Sequence, residues 1–174
     1  MEHVEEALLT RAKAGDQGAF ADLVGLHKAR MWSVCLRIAG NHADAEDALQ
    51  DALTAMWQNL DRYRGEARFG TWVHRIAANA TLAIVRRRKD MPTDIIRDAD
   101  PVRDLSDHVV EADRIQTALL KLPENFRVTL VLREYGDLSY EDIAVHQGIP
   151  VQTVRSRLNR ARRMLSDALN TVEH

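Results

Sequence analysis

The chain has 174 residues, 45% of them hydrophobic and 29% charged, which suffices for packed cores and excludes wholesale disorder. With 24 basic against 26 acidic side chains the net charge is -2, so a globally basic nucleic-acid binder is excluded and any basic surface must be local. Cys35 is the one cysteine, which excludes an intrachain disulfide and a cysteine-based zinc site and suits a buried thiol in a reducing compartment.

Charge is unevenly spread. Residues 1–89 carry net +2, residues 90–113 net -6, and residues 114–174 net +2. The acidic strip contains Pro92 and Pro101 and has little apolar periodicity, which is linker composition. Two domains are therefore expected, over 1–89 and 112–174, joined by an acidic flexible linker over 90–111. That linker is either a solvated tether or a nucleic-acid mimic that occupies a basic channel. Residues 1–9 hold three glutamates and no apolar run, unlike a signal peptide. Residues 76–85, the most apolar stretch, are broken by Asn79 and Thr81 and reach half the ~20 residues of a membrane helix. A soluble, cytoplasmic protein with no membrane insertion is expected. Helical spacing dominates and strand-like alternation is scarce, so the fold class should be all-α.

In chain order, a short helix over 5–14 ends at Gly15-Asp16. A longer one over 19–38 puts Phe20, Leu23, Val24, Met31, Val34, Cys35 and Ile38 on one side and stops at Gly40-Asn41. A third, over about 43–60, repeats Ala45, Leu49, Ala52, Met56 and Leu60 as one apolar stripe. Asp44, Asp47 and Asp51 share another face, with Gln50 and Thr54 also off the stripe; that face is either ordinary solvated surface or a dock for a basic partner.

Residues 61–72 interleave three arginines, two glycines and three aromatics. Guanidinium groups take phosphates and rings stack on unpaired bases, so the mixture suits single-stranded DNA. Phe69 is expected in the core, Trp72 fits core and DNA equally, and Arg62, Arg64 and Arg68 face solvent or phosphate. A helix over 71–89 follows, with Val73, Ile76, Ala77, Ala80 and Ile84 inward. It ends in Arg86-Arg87-Arg88-Lys89, which also compensates the helix dipole.

In the second half Pro123 opens a helix that Gly136 stops. Ser139 and Asp142 then form a capping-box-like start to a short helix over 140–147, ended by Gly148. After Ile149-Pro150 a long helix over 151–169 buries Val154, Leu158, Ala161 and Leu165. Short helix, glycine turn and second helix make a helix-turn-helix. Residues 151–165 hold five arginines and no acid. Gln152, Thr153, Arg155, Ser156, Asn159 and Arg160 are placed to enter a major groove, where Arg grips guanine and Gln or Asn pairs with adenine. Arg157, Arg162 and Arg163 point to phosphate or solvent. The alternative is a packed basic helix.

Three stretches together resemble the extracytoplasmic-function (ECF) group of bacterial sigma-70 family factors. They are residues 44–51 (Asp-Ala-Glu-Asp-Ala-Leu-Gln-Asp), then 62–65 with 69–79, and 138–144 continuing through Gly148-Ile149-Pro150 to Arg162. The resemblance covers nearly the whole chain. Leu53, where an aromatic is frequent, and Ala83, where an aspartate is usual, depart from it. It implies a dissociable initiation subunit that binds core RNA polymerase and promoter DNA. The first domain would dock on the β′ clamp helices through Asp47, Gln50, Asp51 and Thr54. It would read the −10 element with Tyr63, Arg64, Arg68, Trp72, His74, Arg75, Asn79 and Arg86. The second would read the −35 element with its helix-turn-helix and meet the β flap by apolar surface. An anti-sigma factor is a further partner the resemblance implies, and no cofactor or metal is expected. A stand-alone helix-turn-helix regulator, with residues 1–89 as sensor or dimer domain, is the alternative. His-Glu-x-x-His, a P-loop and Gly-x-Ser-x-Gly are all lacking, which argues against an enzyme.

Overall fold

The computed structural model describes residues 1–91 and 107–171. Among them there are nine α-helices and no strand: α1 (Glu2–Lys13), α2 (Gln17–Gly25), α3 (Lys28–Ala39), α4 (His42–Asn59), α5 (Phe69–Lys89), α6 (Asp107–Leu120), α7 (Glu124–Glu134), α8 (Tyr140–Gln147) and α9 (Val151–Thr171). A short 3₁₀ turn, Leu60–Arg62, carries α4 into the loop before α5.

Local chemistry sets most of these boundaries. Asp16 caps α2 by accepting from the Ala19 N–H at 3.0 Å, and Asn41 caps α4 by accepting from the Asp44 N–H at 2.9 Å. α3 ends at Gly40 and α8 at Gly148, both in the left-handed region that a side chain resists (φ 84° and 65°). The single helix expected over 19–38 is in fact two. The Leu26 and His27 amides turn back to Leu23 and Val24, and the His27 ring is drawn to the Glu5 carboxylate at 3.1 Å. A tertiary contact with α1 thus sits where a pattern that reads as continuous is broken.

The first body packs α3, α4 and α5 around Met31, Val34, Cys35, Ile38, Met56 and Val73. Ala45, Ala48 and Ala52 on α4 and Ala77 and Ala78 on α5 are fully buried and let the helix axes approach closely. The second body gathers α6 to α9 around Leu119, Val131, Leu132, Leu138, Ile143, Val154, Leu158 and Ala161. Leu165, expected inward, is only half-buried at the edge of this core.

Two findings go beyond the sequence reading. α6 begins at Asp107, inside the expected linker, because Ile115, Ala118 and Leu119 give its later turns a core to pack on. The rest of the linker, 92–106, and the channel-occupying role expected for it lie outside the described residues. The two bodies also pack on each other. Arg37 of α3 donates to the Ala112 carbonyl and the Gln116 side chain, both at 3.1 Å, and lies 5.2 Å from the Tyr135 ring centroid.

Candidate nucleic-acid interface

The helix-turn-helix forms as expected. The Ser139 hydroxyl accepts from the Asp142 N–H at 3.0 Å and starts α8. Burial of Ile143 on α8 and of Val154, Leu158 and Ala161 on α9 fixes the two helices together. The opposite side of α9 presents Gln152, Arg155, Ser156, Asn159 and Arg160 to solvent, with Thr153 half-buried beside them. Arg155 lies 5.9 Å from the Tyr140 ring centroid and Arg160 5.2 Å from that of Phe126. Both rings belong to the second body, so each guanidinium is steadied over an aromatic face without losing its outward donors. Arg157 instead donates to Gln147 and Arg162 to Glu134, so these two arginines brace the motif from the side.

In the first body the loop before α5 is built around an aromatic triad. Tyr63, Phe69 and Trp72 stand with ring centroids 5.3–5.5 Å apart. Phe69 is core, as expected. Tyr63 is buried too: its hydroxyl donates to the Ala67 carbonyl at 2.7 Å, and Lys13 caps its ring and donates to its carbonyl. Burial, with the Glu5 charge, raises the phenol pKa. Tyr63 therefore holds the loop's shape, with little of its ring exposed. Trp72 is half-buried and lines a pocket of about 130 Å³ with Arg62, Tyr63, Arg64, Glu66, Ala67 and Arg75. Arg64 and Arg68 are exposed. An aromatic wall, exposed cations and room for a small planar group meet in this pocket.

The α5 residues have a different setting. His74 is 2% exposed and neither ring nitrogen has a hydrogen-bond partner. Desolvation, with His27 and Arg30 nearby, brings its pKa down to about 4. Arg75 donates to the Asp142 carboxylate and carbonyl, both at 3.3 Å. Asn79 meets the His146 ring at 2.9 Å, and Arg86 donates to Glu124 at 3.1 Å. The basic run at the end of α5 is paired throughout: Lys89 joins Arg86 on Glu124, Arg87 reaches Asp51 at 3.9 Å, and Arg88 pairs with Asp44.

On α4, Asp47, Gln50, Asp51 and Thr54 are all exposed and share one face at helical spacing. Asp44, which the spacing places with them, is instead 2% exposed and turned toward Arg88. Trp57 continues the same face, 39% exposed, with its ring edge-on to Phe20 at 4.9 Å. Sequence reasoning missed Trp57, although its place off the apolar stripe was a usable signal. It also missed Glu124, Asp142 and His146 as partners of α5, which no local pattern indicates.

Among the described residues no group of three His, Cys, Asp or Glu side chains could hold a metal, and no helix is long and apolar enough to cross a membrane. Residues 23–90 match the family model for Sigma-70 region 2, and residues 112–165 that for Sigma-70, region 4. The chain is 32% identical over 184 residues to the ECF RNA polymerase sigma factor SigW of Bacillus subtilis (strain 168), covering 97% of this chain and 98% of that one. Its fold is similar to that of CnrH, solved in complex with the cytosolic domain of CnrY, with a TM-score of 0.74 at 26% identity over 97% of this chain and 98% of that one. It also shares its fold with the sigma factor RpoE of Bartonella quintana, solved with the anti-sigma factor NepR: TM-score 0.74, 24% identity, 87% of this chain and 96% of that one.

Proposed function

The chain belongs to the ECF group of sigma-70 family RNA polymerase sigma factors, and from that premise we propose how its surfaces divide the work of promoter recognition. As an alternative sigma factor it directs promoter-specific transcription initiation by core RNA polymerase. It acts by binding, with no chemistry of its own, in the cytoplasm where the polymerase works. The α4 face of Asp47, Gln50, Asp51 and Thr54 docks on the β′ clamp helices, and Trp57 adds apolar contact at its end. The pocket beside Trp72, which Arg62, Arg64 and Arg75 line, takes an unpaired base of the −10 element; Tyr63 shapes it, and the exposed Arg68 lies on the same loop. Arg75, Asn79 and Arg86 follow the strand along α5, and His74 supports them from beneath. Residues 1–89 and 112–174 are the two working units, and apolar surface of the second meets the β flap.

The observation that carries this reading is the outer side of α9, where Gln152, Arg155, Ser156, Asn159 and Arg160 stand exposed on a helix with five arginines and no acid over 151–165. Such a helix can read base edges in a major groove. Each grip is small, and polymerase raises their joint affinity by holding both at the spacing of the promoter. An anti-sigma factor is a further partner in this reading; the similar CnrH was solved with a protein partner, the cytosolic domain of CnrY.

Run-off transcription with purified core polymerase tests the proposal. Transcripts that start only when this chain is added support it. A palindromic operator bound tightly by the chain alone, with no new start site, would instead favour a stand-alone regulator.

A further inference from the structure

α1 lies outside residues 23–90, the stretch that matches Sigma-70 region 2, yet it holds the loop of the base pocket at both ends. At the start of the loop, Lys13 Nζ donates to the Tyr63 carbonyl at 2.6 Å and lies 5.6 Å from the centroid of the Tyr63 ring. The Tyr63 N–H is bonded to the Leu60 carbonyl at 3.2 Å, and its hydroxyl donates across the loop to the Ala67 carbonyl at 2.7 Å. At the far end, Glu5 Oε2 lies 3.1 Å from His27 Nε2, and the His27 ring stands edge-on to Phe69 with centroids 5.4 Å apart. The same ring passes so near Gly70 that a Cβ there would meet it at 3.4 Å. Tyr63 and Phe69 in turn back Trp72, the aromatic wall of the pocket. Between these two holds, Arg64, Gly65, Glu66 and Arg68 are exposed. α1 is itself well anchored: Ala12 is buried, Leu8 and Leu9 pack against the core, and Arg11 pairs with Asp16 at 2.7 Å.

We propose that α1 braces the base pocket and that Lys13 is a positioning residue: by holding the Tyr63 carbonyl and ring, it keeps the loop in the shape that receives an unpaired base. The inference rests on the promoter reading for what the pocket takes. The physical reason is entropy. A loop that had to be ordered as the base arrived would set that ordering cost against the binding free energy, and a loop held in advance does not. A charged donor on a carbonyl is a stronger link than a neutral one, and the ring face under the ammonium adds to it. Lys13 thus acts on DNA through Tyr63, with no contact of its own.

Trypsin reads the loop directly in the full free chain, because Arg64 and Arg68 are exposed cleavage sites within it. Lys13→Met keeps the apolar stem and removes the donor. Cleavage after Arg64 and Arg68 should become about three- to tenfold faster, the worth of one hydrogen bond from a charged group at a partly exposed site. Lys13→Arg, which keeps a donor, should restore most of the protection. Unchanged cleavage overturns the proposal, and so does equal acceleration at sites throughout the chain, which would mark general destabilisation. Holoenzyme assembled with core polymerase then tests what the brace is for, on forked promoter DNA with abasic sites placed one at a time along the single-stranded −10 segment. Lys13→Met should weaken binding about three- to tenfold on the intact fork, and less than about twofold where the abasic site removes the base that the pocket takes, because the two losses share one interaction. An equal loss on every abasic fork would mean that Lys13 touches a phosphate, and would overturn the positioning role. If native holoenzyme binds every abasic fork as tightly as the intact one, the base-pocket reading fails, while the tryptic result still judges the brace.

Discussion

His74 should make the stability of the chain fall as pH falls. Its ring is 2% exposed, on α5 beneath the junction of the two bodies, with only a poorly formed contact to the Gly136 backbone. The groups that face it are His27 at the α2–α3 corner, Arg30 on α3, and Gly136 and Asp137 after α7. Burial, His27 and Arg30 disfavour the charged ring more than Gly136 and Asp137 favour it, and the pKa drops from 6.5 to about 4. The unfolded chain takes up a proton near pH 6.5, whereas the folded chain resists until about pH 4. The stability due to the neutral ring is therefore fully present above the unfolded pKa and lost as pH falls toward the folded one. Linkage puts the loss at about 2 kcal/mol between roughly pH 8 and pH 5. His146, whose pKa is lowered by burial and by Arg75, acts in the same direction. Urea unfolding of the full chain at several pH values measures the total. His74→Leu should remove about 2 kcal/mol of the pH dependence and leave the His146 share. A variant that keeps the full pH dependence of the native chain would refute the argument.

Other expectations follow from the same geometry. Arg155→Ala should leave the melting temperature nearly unchanged, because the residue is exposed and loses only a stacking contact worth about 0.5–1 kcal/mol. It should cost about 1–3 kcal/mol at one −35 position, read by transcription from promoters substituted base by base; an equal loss on every promoter would mark a phosphate contact. Gly40→Ala and Gly148→Ala each force a side chain into a left-handed backbone, at about 1 kcal/mol. At Gly40 the new Cβ would also lie 2.6 Å and 2.8 Å from the Leu120 δ carbons, whereas nothing stands within 4 Å at Gly148. Thermal melts should therefore show the larger loss at Gly40, and Leu120→Ala should narrow the gap. Asp47→Lys with Asp51→Lys, both exposed, should weaken core polymerase binding in fluorescence anisotropy about tenfold or more, with the helical content intact; unchanged affinity would remove α4 from the docking surface.

The elements that the sequence disclosed are those with local causes. The Ser139 cap, the helix stops at Gly40 and Gly148, the α4 stripe and the buried side of α9 each depend on residues within a few positions of one another. The exposed recognition residues were legible for the same reason: once Val154, Leu158 and Ala161 face inward, the helical period places Gln152, Arg155, Ser156 and Asn159 outward. Tyr63 shows the limit. Composition identifies an aromatic among arginines, but the Ala67 carbonyl and Lys13 decide that its ring is enclosed. Asp44 is a similar case, on the acidic face by spacing and against Arg88 by packing.

By itself, then, the sequence determined most of the helices, the helix-turn-helix, the family and the chemistry on offer at each surface, because helical period and caps are properties of neighbours along the chain; the break between α2 and α3 and the start of α6 were not among them. Tertiary structure alone decided which of those groups are free. The partners of Arg75, Asn79 and Arg86 lie 67, 67 and 38 residues away. No period links such positions, and pairing across that separation depends on how two packed bodies settle against each other.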